Sequence, residues 1–260
     1  MSFTVRQPND CSPAPKILRI KTDFHSHVLP GIDDGSRSIE ESLEMLALSY
    51  ESGVRRIVAT PHFYARHQHP DGFAEKRGEA FDALKEAIEQ SGEEKCPQIL
   101  LGAEVAYFDG ISRCEEIKKF CVEGTPLILV EMPFVRWNNK IIEDIHEING
   151  NLGLIPVIAH IDRYYNFQSK KMIDALLRDE ILVQANAESF TDRRSKKRMF
   201  KLLSEEKIDF LGSDCHNTTS RKPNLDKASE EISDKLGEDF LTKINSFCDY
   251  VFDKTEAASG

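Results

Sequence analysis

Short apolar runs alternate with amphipathic helical stretches along almost the whole chain. The runs are rich in Val, Ile and Leu, and polar residues follow each of them, which is typical of buried strands. The stretches between them carry apolar residues three or four positions apart, as Leu43, Leu46 and Tyr50 do. The predicted strands are Ile17–His25, Arg56–Thr60, Gln98–Val105, Leu127–Glu131, Leu154–His160, Ile181–Ala187 and Phe210–Ser213.

Helices are predicted between and after these strands. The first opens with Ser38 and Glu41 at the spacing of a capping box. The predicted helices are Ser38–Glu51, Phe73–Gln90, Lys140–Ile148, Lys170–Arg178, Arg194–Ser204 and Asp226–Val251, the last broken near Gly237. Seven strand–helix units favour parallel strands, and closing them gives an α/β fold, a distorted (βα)7 TIM-like barrel. An open, doubly wound sheet is the alternative.

One domain accounts for this pattern, and we expect it to span residues 17–252. Residues 1–16 are polar and contain proline, which predicts a flexible N-terminal extension, and residues 253–260 are predicted to form a loose tail. No internal repeat, linker or low-complexity segment divides the 260 residues, a length that suits a single large core.

Composition excludes several classes of function. The formal net charge is -10, which argues against a dedicated nucleic-acid binder. No stretch is long and apolar enough to cross a bilayer, so direct membrane insertion is not expected. The six cysteines form no C-x-x-C pair, and the N-terminus has no apolar leader core, which together predict reduced thiols and a cytoplasmic location.

Almost every predicted strand ends in a histidine or a carboxylate. The first ends in D-F-H-S-H, where side chains two positions apart point to the same face. Only the sixth strand ends without an obvious ligand, at Asn186 and Glu188. The candidates at the other six strand ends are His25, His27, His62, Glu104, Glu131, His160, Asp214 and His216.

Barrels of this kind build their functional sites at the carboxyl ends of the strands. Asp34, in the loop P-G-I-D-D-G, is a ninth candidate, and Asp33 could replace it. Imidazole with carboxylate suits Mn, Fe or Zn, and nine ligands exceed the needs of one ion, so two or three ions are expected. A single histidine at a strand end is usually a hydrogen-bonded core residue; the joint pattern carries the prediction, because burying so many polar groups otherwise costs free energy. We expect Asp23 to orient a ligand imidazole.

These motifs resemble the PHP (polymerase and histidinol phosphatase) superfamily, and more narrowly its bacterial manganese-dependent protein tyrosine phosphatases of the CpsB/YwqE type. The long motif D-F-H-S-H-V-L-P-G-I-D-D-G carries most of the resemblance, and A-T-P-H, G-A-E, A-H-x-x-R-Y and S-D-x-H-N follow in the family's order. The resemblance covers about residues 20–250 and implies a distorted barrel of seven strands. It implies three ions held by His25, His27, Asp34, His62, Glu104, Glu131, His160, Asp214 and His216.

The resemblance also implies an activity. Arg163 matches the family's arginine that binds the substrate phosphate and stabilises the transition state, and Arg221 matches a second phosphate-contacting arginine. The implied reaction is hydrolysis of phosphotyrosine by a metal-activated hydroxide, with Mn²⁺ as cofactor and Fe or Zn as alternatives. The implied partner is a phosphotyrosine-bearing bacterial tyrosine kinase that regulates capsular or exopolysaccharide synthesis. A small-molecule phosphatase of the histidinol-phosphatase type and a non-enzymatic metal-binding module are the alternatives.

Four other features have simpler explanations. Cys215 and Arg221 have the C-x5-R spacing of cysteine-dependent phosphatases, but no glycine lies between them to form a phosphate loop, so we interpret the spacing as coincidence. Trp137 is predicted either to pack or to form a rim for an aromatic substrate. The K-K-R run that ends at Arg198 is predicted to be a solvated helix face, and Arg66, His67 and His69 to lie in a solvated loop.

Overall fold

The computed structural model describes residues 18–92, 95–178 and 181–258, with side chains up to residue 252. The predicted N-terminal extension, residues 1–16, lies outside the described residues. Among the described helices, none has the length and apolar character that crossing a membrane requires.

All paired strands are parallel and together form a curled half-barrel, against which helices pack. The strands are β1 (Thr22–Ser26), β2 (Arg56–Ala59), β3 (His62–Phe63), β4 (Gln98–Leu101), β5 (Glu104–Ala106), β6 (Leu127–Glu131), β7 (Ile155–Ile158), β8 (Leu182–Asn186) and β9 (Phe210–Gly212). The helices are α1 (Ile39–Glu51), α2 (Pro70–Ser91), α3 (Asn139–Leu152), α4 (Ile161–Tyr164), α5 (Lys170–Leu176), α6 (Lys196–Ser204), α7 (Leu225–Leu236) and α8 (Glu238–Ala258). The predicted mixed α/β class with parallel strands is therefore confirmed.

The strands are arranged in two sheets that run into one another. One has the order β1-β2-β4 and the other β3-β5-β6-β7-β8-β9. The predicted second strand, Arg56–Thr60, is observed as β2. A short strand that was not predicted, β3, follows after Pro61, which has no N–H for the ladder. The predicted third strand is interrupted at Gly102, where a Cβ atom would lie 3.2 Å from Val58, and divides into β4 and β5.

The first and last strands also meet at their carboxyl ends. The backbone N–H of Asp214 donates to the carbonyl of His25 (2.8 Å), and that of His27 donates to the carbonyl of Cys215 (2.9 Å). Below these bonds the rings of Phe24 and Phe210 stack with centroids 3.9 Å apart in the core. The curled sheet thus brings its outer edges together beneath the residues that end the strands.

Two helix boundaries test the predictions directly. Ser38 caps α1 by accepting a hydrogen bond from the backbone N–H of Glu41 (3.3 Å), as the capping pair predicts. Gly237, with φ of +90°, separates α7 from α8 and confirms the predicted break. Helix α8 continues to Ala258, so the predicted tail boundary at residue 253 is too early; the segment D-K-T-E-A-A contains no residue that stops a helix.

Candidate metal centre

The carboxyl end of the curled sheet gathers all nine predicted metal ligands. His25 lies in β1 and His27 follows it, while His62 and Glu104 open the short strands β3 and β5. The other members end or follow strands or lie in the loop after β1: Asp34, Glu131, His160, Asp214 and His216. The strand interruptions matter here, because they let His62 and Glu104 start new segments beside the ends of their neighbours.

Glu104 occupies the middle of the cluster and is almost completely buried. Its Oε2 lies 3.1 Å from His25 Nε2, 3.4 Å from His27 Nε2 and 3.0 Å from His62 Nδ1. Its Oε1 lies 2.7 Å from His160 Nε2. Burial alone would raise the pKa of Glu104, but the neighbouring imidazoles outweigh burial and hold the pKa well below its usual range.

Three groups of side chains each place ligand atoms within 4.8 Å of one another. The groups are His27, Asp34, His62 and His216; His25, His27 and Asp214; and His62, Glu104 and Glu131. His160 joins none of these groups, but its Nε2 lies 3.4 Å from Glu131 as well as beside Glu104. His27 and His62 each belong to two of these groups, so the three candidate sites lie next to one another.

The donor atoms themselves fit divalent cations. His25 Nδ1 pairs with Gln184 Oε1 (3.2 Å), and His27 Nδ1 pairs with Asp33 Oδ2 (2.7 Å). With the ring hydrogens on those nitrogens, the two Nε2 atoms, which are 3.1 Å apart, both present lone pairs to the same point. His216 Nε2 is a buried ring nitrogen without a hydrogen-bond partner in the described part of the chain. Such a set of imidazole and carboxylate donors suits Mn, Fe or Zn.

The outer partners of these imidazoles differ from the predicted ones. Asp23 does not orient an imidazole: its carboxylate accepts from the backbone N–H of Ser213 (2.8 Å), from the Ser213 hydroxyl (2.6 Å) and from the backbone N–H of His25 (3.2 Å). Gln184 does so instead, a role that sequence reasoning missed. Its signal was a polar residue in the middle of the apolar run I-L-V-Q-A-N.

Asp33 and Asp34 have separate roles. The Asp33 carboxylate is occupied by His27 Nδ1 and by the backbone N–H of His62 (3.0 Å), so it orients the cluster from outside. Asp34 remains the candidate ligand, since its Oδ1 lies 3.5 Å from His62 Nε2 and 3.4 Å from His216 Nε2.

Backbone strain is concentrated at the same place. His160 and Asp214 adopt positive φ values of 32° and 53°, and in the described residues the only other non-glycine residue to do so is Glu206. Left-handed conformations cost side-chain-bearing residues roughly 1–2 kcal/mol each. Such strain persists where the surrounding structure requires it, which is characteristic of functional sites.

Two arginines share the carboxylate of Asp214. Arg163 Nη2 donates to Asp214 Oδ2, and Arg221 Nη2 donates to Asp214 Oδ1 (2.9 Å). Asn186, at the end of the strand that lacked an obvious ligand, donates to the same carboxylate (2.9 Å). The arginine side chains are 36% and 39% exposed, so each keeps donors free to bind an anion from solvent.

An aromatic wall, formed by Phe134 and Phe167, borders the cluster. These rings are 40% and 44% exposed, and their centroids lie 5.8 Å apart. Phe134 also stacks on His160 at 5.8 Å. Trp137 does not form this rim: it is buried, and its indole N–H donates to the carbonyl of Pro133 (2.8 Å). The signal for Phe134 was an apolar pair placed directly after the strand-ending motif V-E-M-P.

The remaining candidates from the sequence analysis take no part in the cluster of metal-ligand candidates. Cys215 is fully buried, and burial, reinforced by the charges of Asp23 and Asp214, raises the pKa of its thiol. A thiolate nucleophile is therefore disfavoured there. Arg66 and His67 are exposed in the loop after β3, and His69 caps α2 by accepting from the backbone N–H of Asp71 (3.3 Å).

Comparison with known proteins gives consistent matches. The sequence profile of the family "Capsular polysaccharide synthesis, CpsB/CapC" matches residues 21–249. The Tyrosine-protein phosphatase CpsB of Streptococcus agalactiae serotype III is 31% identical over 237 residues, which cover 85% of this chain and 93% of that protein. The Tyrosine-protein phosphatase YwqE of Bacillus subtilis is 26% identical over 228 residues, covering 83% and 85%. A solved structure from work on Bacillus subtilis YwqE and Streptococcus pneumoniae CpsB, described as metal-dependent tyrosine phosphatases, aligns with a TM-score of 0.78 at 23% identity, covering 89% and 94%.

Proposed function

Since the chain belongs to the CpsB/CapC family of capsular polysaccharide synthesis proteins, we propose that it is a metal-dependent protein tyrosine phosphatase. The observation that carries this proposal is the pairing of a nine-residue cluster of histidines and carboxylates with two half-exposed arginines on the carboxylate of Asp214. The cluster provides cation sites, and the arginines provide an adjacent place for a phosphoryl group.

The cofactor we propose is Mn²⁺, with Fe or Zn as alternatives, in two or three sites. The proposed ligands are His25, His27, Asp34, His62, Glu104, Glu131, His160, Asp214 and His216. When bound, such ions neutralise phosphoryl oxygens and lower the pKa of water. We also interpret the two sheets and the bonds between β1 and β9 as one distorted (βα)7 barrel, which places all nine residues around one rim.

The chain's own residues position the substrate. Arg163 and Arg221 would hold the phosphoryl oxygens with charge-assisted hydrogen bonds, while Asp214 fixes the two guanidinium groups in place. Water adds to phosphorus as the bond between phosphorus and the phenolic oxygen breaks. The products are inorganic phosphate and tyrosine, whose oxygen takes up the proton that the water gives up.

The aromatic wall supports an aryl ester as substrate. Exposed phenylalanine rings are unfavourable in water, and contact with a tyrosyl ring removes that apolar surface. Phe134 and Phe167 lie beside the same cluster that would bind the phosphate, because Phe134 stacks on His160. We therefore assign them to the ring of phosphotyrosine.

The proposed substrate protein is an autophosphorylated bacterial tyrosine kinase that acts in capsular or exopolysaccharide synthesis. Membership of the family supports the link to capsule synthesis. The proposed location is the cytoplasm, and the five cysteines in the described residues form no disulfide with one another, which suits a reducing compartment.

The function is tested by hydrolysis of a peptide that carries one phosphotyrosine among neutral residues. The protein is first treated with chelator and then supplied with Mn²⁺, Fe²⁺ or Zn²⁺. We expect no hydrolysis after chelation, recovery with at least one metal, and a kcat/KM at least about tenfold above that for histidinol phosphate. A preference for histidinol phosphate, or activity that survives chelation, would overturn the proposal.

A further inference from the structure

A basic groove lies next to the proposed phosphatase site, and no step of the reaction uses it. Its volume is about 740 Å³, and it runs between the loop after α4, helix α5 and helix α6. Its cationic lining residues, which define the groove, are Lys170, Arg194, Lys197, Arg198, Lys201 and Lys207.

The charges in the groove are not balanced. Its two carboxylates are engaged by lysines: Asp174 lies 3.6 Å from Lys170, and Glu205 lies 3.0 Å from Lys207 and 3.7 Å from Lys201. Within the described ranges, no ion pair within 4.0 Å is formed by Lys197 or Arg198. Slight desolvation would raise the pKa of the exposed Asp192 carboxylate, but hydrogen bonds from Ser195 and Arg194 and the charge of Arg194 outweigh it and lower the pKa. This local excess of positive charge stands in a chain whose formal net charge is -10.

The groove opens towards Arg163. A second cavity of about 490 Å³ is lined by Arg163 and by Arg194 and Arg198, which it shares with the groove. Its lining also includes the carboxylates Asp162, Glu188 and Asp192. The guanidinium of Arg198 lies over the ring of Tyr165, 4.5 Å from its centroid, and this contact restricts the side chain on the groove wall. A chain bound at Arg163 can therefore continue through this cavity, where arginines and carboxylates are equal in number, into the groove, where positive charge predominates.

We propose that the basic groove binds negatively charged residues of the substrate polypeptide on one side of the phosphotyrosine. The inference rests on the proposed function, because it specifies which residues flank the phosphotyrosine in the substrate that the same site binds. The shared chemistry is an oxyanion, either a glutamate or aspartate carboxylate or the phosphate of a second phosphorylated tyrosine. Guanidinium groups bind both with paired hydrogen bonds.

A solvated helix face is the simpler interpretation of the K-K-R run that ends at Arg198, and it is what the sequence predicts. Two observations favour binding instead: Lys197 and Arg198 line a concavity, and that concavity continues to the arginine of the proposed reaction centre. A solvated helix face needs neither.

The test compares three substrates of the Mn²⁺-loaded protein: free phosphotyrosine, a phosphotyrosine peptide flanked by glutamates, and a peptide with two phosphotyrosines. Each peptide is made with its acidic group on either side. For the double variant Arg194→Gln/Arg198→Gln we expect kcat/KM to fall about tenfold or more on the acidic peptides of one polarity, because two charge-assisted hydrogen bonds are lost. Turnover of free phosphotyrosine should stay within about twofold of wild type, since only the flanking contacts are removed.

The matched control is Lys171→Gln/Arg193→Gln, which removes two exposed positive charges that do not line the groove. This variant should behave as wild type on all three substrates. The proposal would be overturned if kcat/KM fell equally in both double variants, or fell as much on free phosphotyrosine as on the acidic peptides. It would also be overturned if kcat/KM did not fall at all. Comparison of the glutamate and phosphotyrosine peptides identifies which oxyanion the groove prefers.

A binding measurement distinguishes failure of this inference from failure of the proposed function. After chelation, the affinity of a fluorescein-labelled peptide with glutamates beside one phosphotyrosine is measured by anisotropy, at low salt and at high salt. We expect the groove variant to bind several-fold more weakly than the control and salt to weaken the wild type most. This result would stand even if no phosphoester were hydrolysed. Binding to anionic phospholipid vesicles or single-stranded RNA without binding to the peptide would overturn the inference.

Discussion

Carboxylates lie at both ends of the same curled sheet in opposite surroundings, Asp214 buried at one end and Asp209 partly buried at the other. At the carboxyl end, burial alone would raise the pKa of Asp214, but His25, His27 and Arg163 outweigh it and hold the pKa well below the usual range. At the amino end, Asp209 precedes β9 and accepts one hydrogen bond, from the backbone N–H of Val183 (2.8 Å). With no comparable cation there, burial raises the pKa of Asp209 to about 6.

The difference shows that burial alone does not mark the functional end. Removing a carboxylate from water costs free energy at both ends, but imidazoles and guanidinium groups offset that cost only at the carboxyl end. Asp209 instead serves as a structural acceptor between two strands. What distinguishes the candidate site is therefore the number of cationic and metal-binding partners around each carboxylate.

Removing the central carboxylate should cause the largest loss of metal and activity at the carboxyl end of the sheet. Glu104→Gln keeps the shape but removes the charge that lies within 3.4 Å of four imidazoles. We expect kcat/KM to fall by about a thousandfold, because the loss of even an outer partner of metal ligands costs 10- to 100-fold. Metal content per chain, measured by elemental analysis, should fall in parallel. Wild-type metal content and activity in this variant would exclude Glu104 as a ligand.

Arg163→Ala tests the arginine side of the same cluster. We expect kcat to fall about a hundredfold, as for loss of one preorganised donor to a transition state. Metal content should be unchanged, since Arg221 and Asn186 still hold Asp214. Arg66→Ala, in the exposed loop after β3, is the control and should match wild type. If metal is lost along with activity, Arg163 supports the metal sites and does not act on the phosphate.

Cys215→Ser should have a much smaller effect, although Cys215 lies between two proposed ligands. The thiol is fully buried and the pKa is raised, so it contributes neither a nucleophile nor charge. We expect metal-dependent activity within about threefold of wild type, with a small loss of stability from placing a hydroxyl in that position. Loss of all activity, combined with resistance of the wild type to chelation, would favour a cysteine mechanism.

The sequence predicts the strand-end cluster well because each ligand belongs to a short local motif. The spacing in D-F-H-S-H and the position of Glu104 after an apolar run fix where these side chains point once the strands are parallel. Asp23 shows where this reasoning fails. The residue shares a face with His25, but two of its three hydrogen bonds come from Ser213, 190 positions away, and the third from the backbone of His25 rather than its ring.

The groove and the aromatic wall could not be predicted in the same way. Phe134 and Phe167 belong to separate loops, while Lys170 begins α5 and Lys207 follows α6. Arg194, Lys197, Arg198 and Lys201 do have helical spacing, which predicts one charged face. The concave groove and the aromatic wall arise only when tertiary packing brings distant surface residues together. Local pattern therefore predicts ligands on strands better than surfaces shared by several loops.

Asp209→Asn tests the amino end of the sheet. It should produce the smallest effect of the four substitutions, and a gain in stability rather than a loss of function. The folded pKa of about 6 exceeds the usual Asp value of 3.8, so the folded protein binds a proton more tightly than the unfolded chain does. The wild type should therefore lose stability as the pH rises from 4 to 6 and remain less stable above it. A shift of two units corresponds to at most about 3 kcal/mol, and residual solvent access reduces this to roughly 1–2 kcal/mol. Asparagine keeps an acceptor for Val183 but cannot ionise, so urea denaturation should show the variant to be more stable than wild type at pH 8. This advantage should fall to about a third at pH 4.5 and to almost nothing at about pH 3, with unchanged phosphatase activity. A stability difference that does not depend on pH would mean that the charge of Asp209 is already neutralised, and the contrast between the two ends of the sheet would not hold.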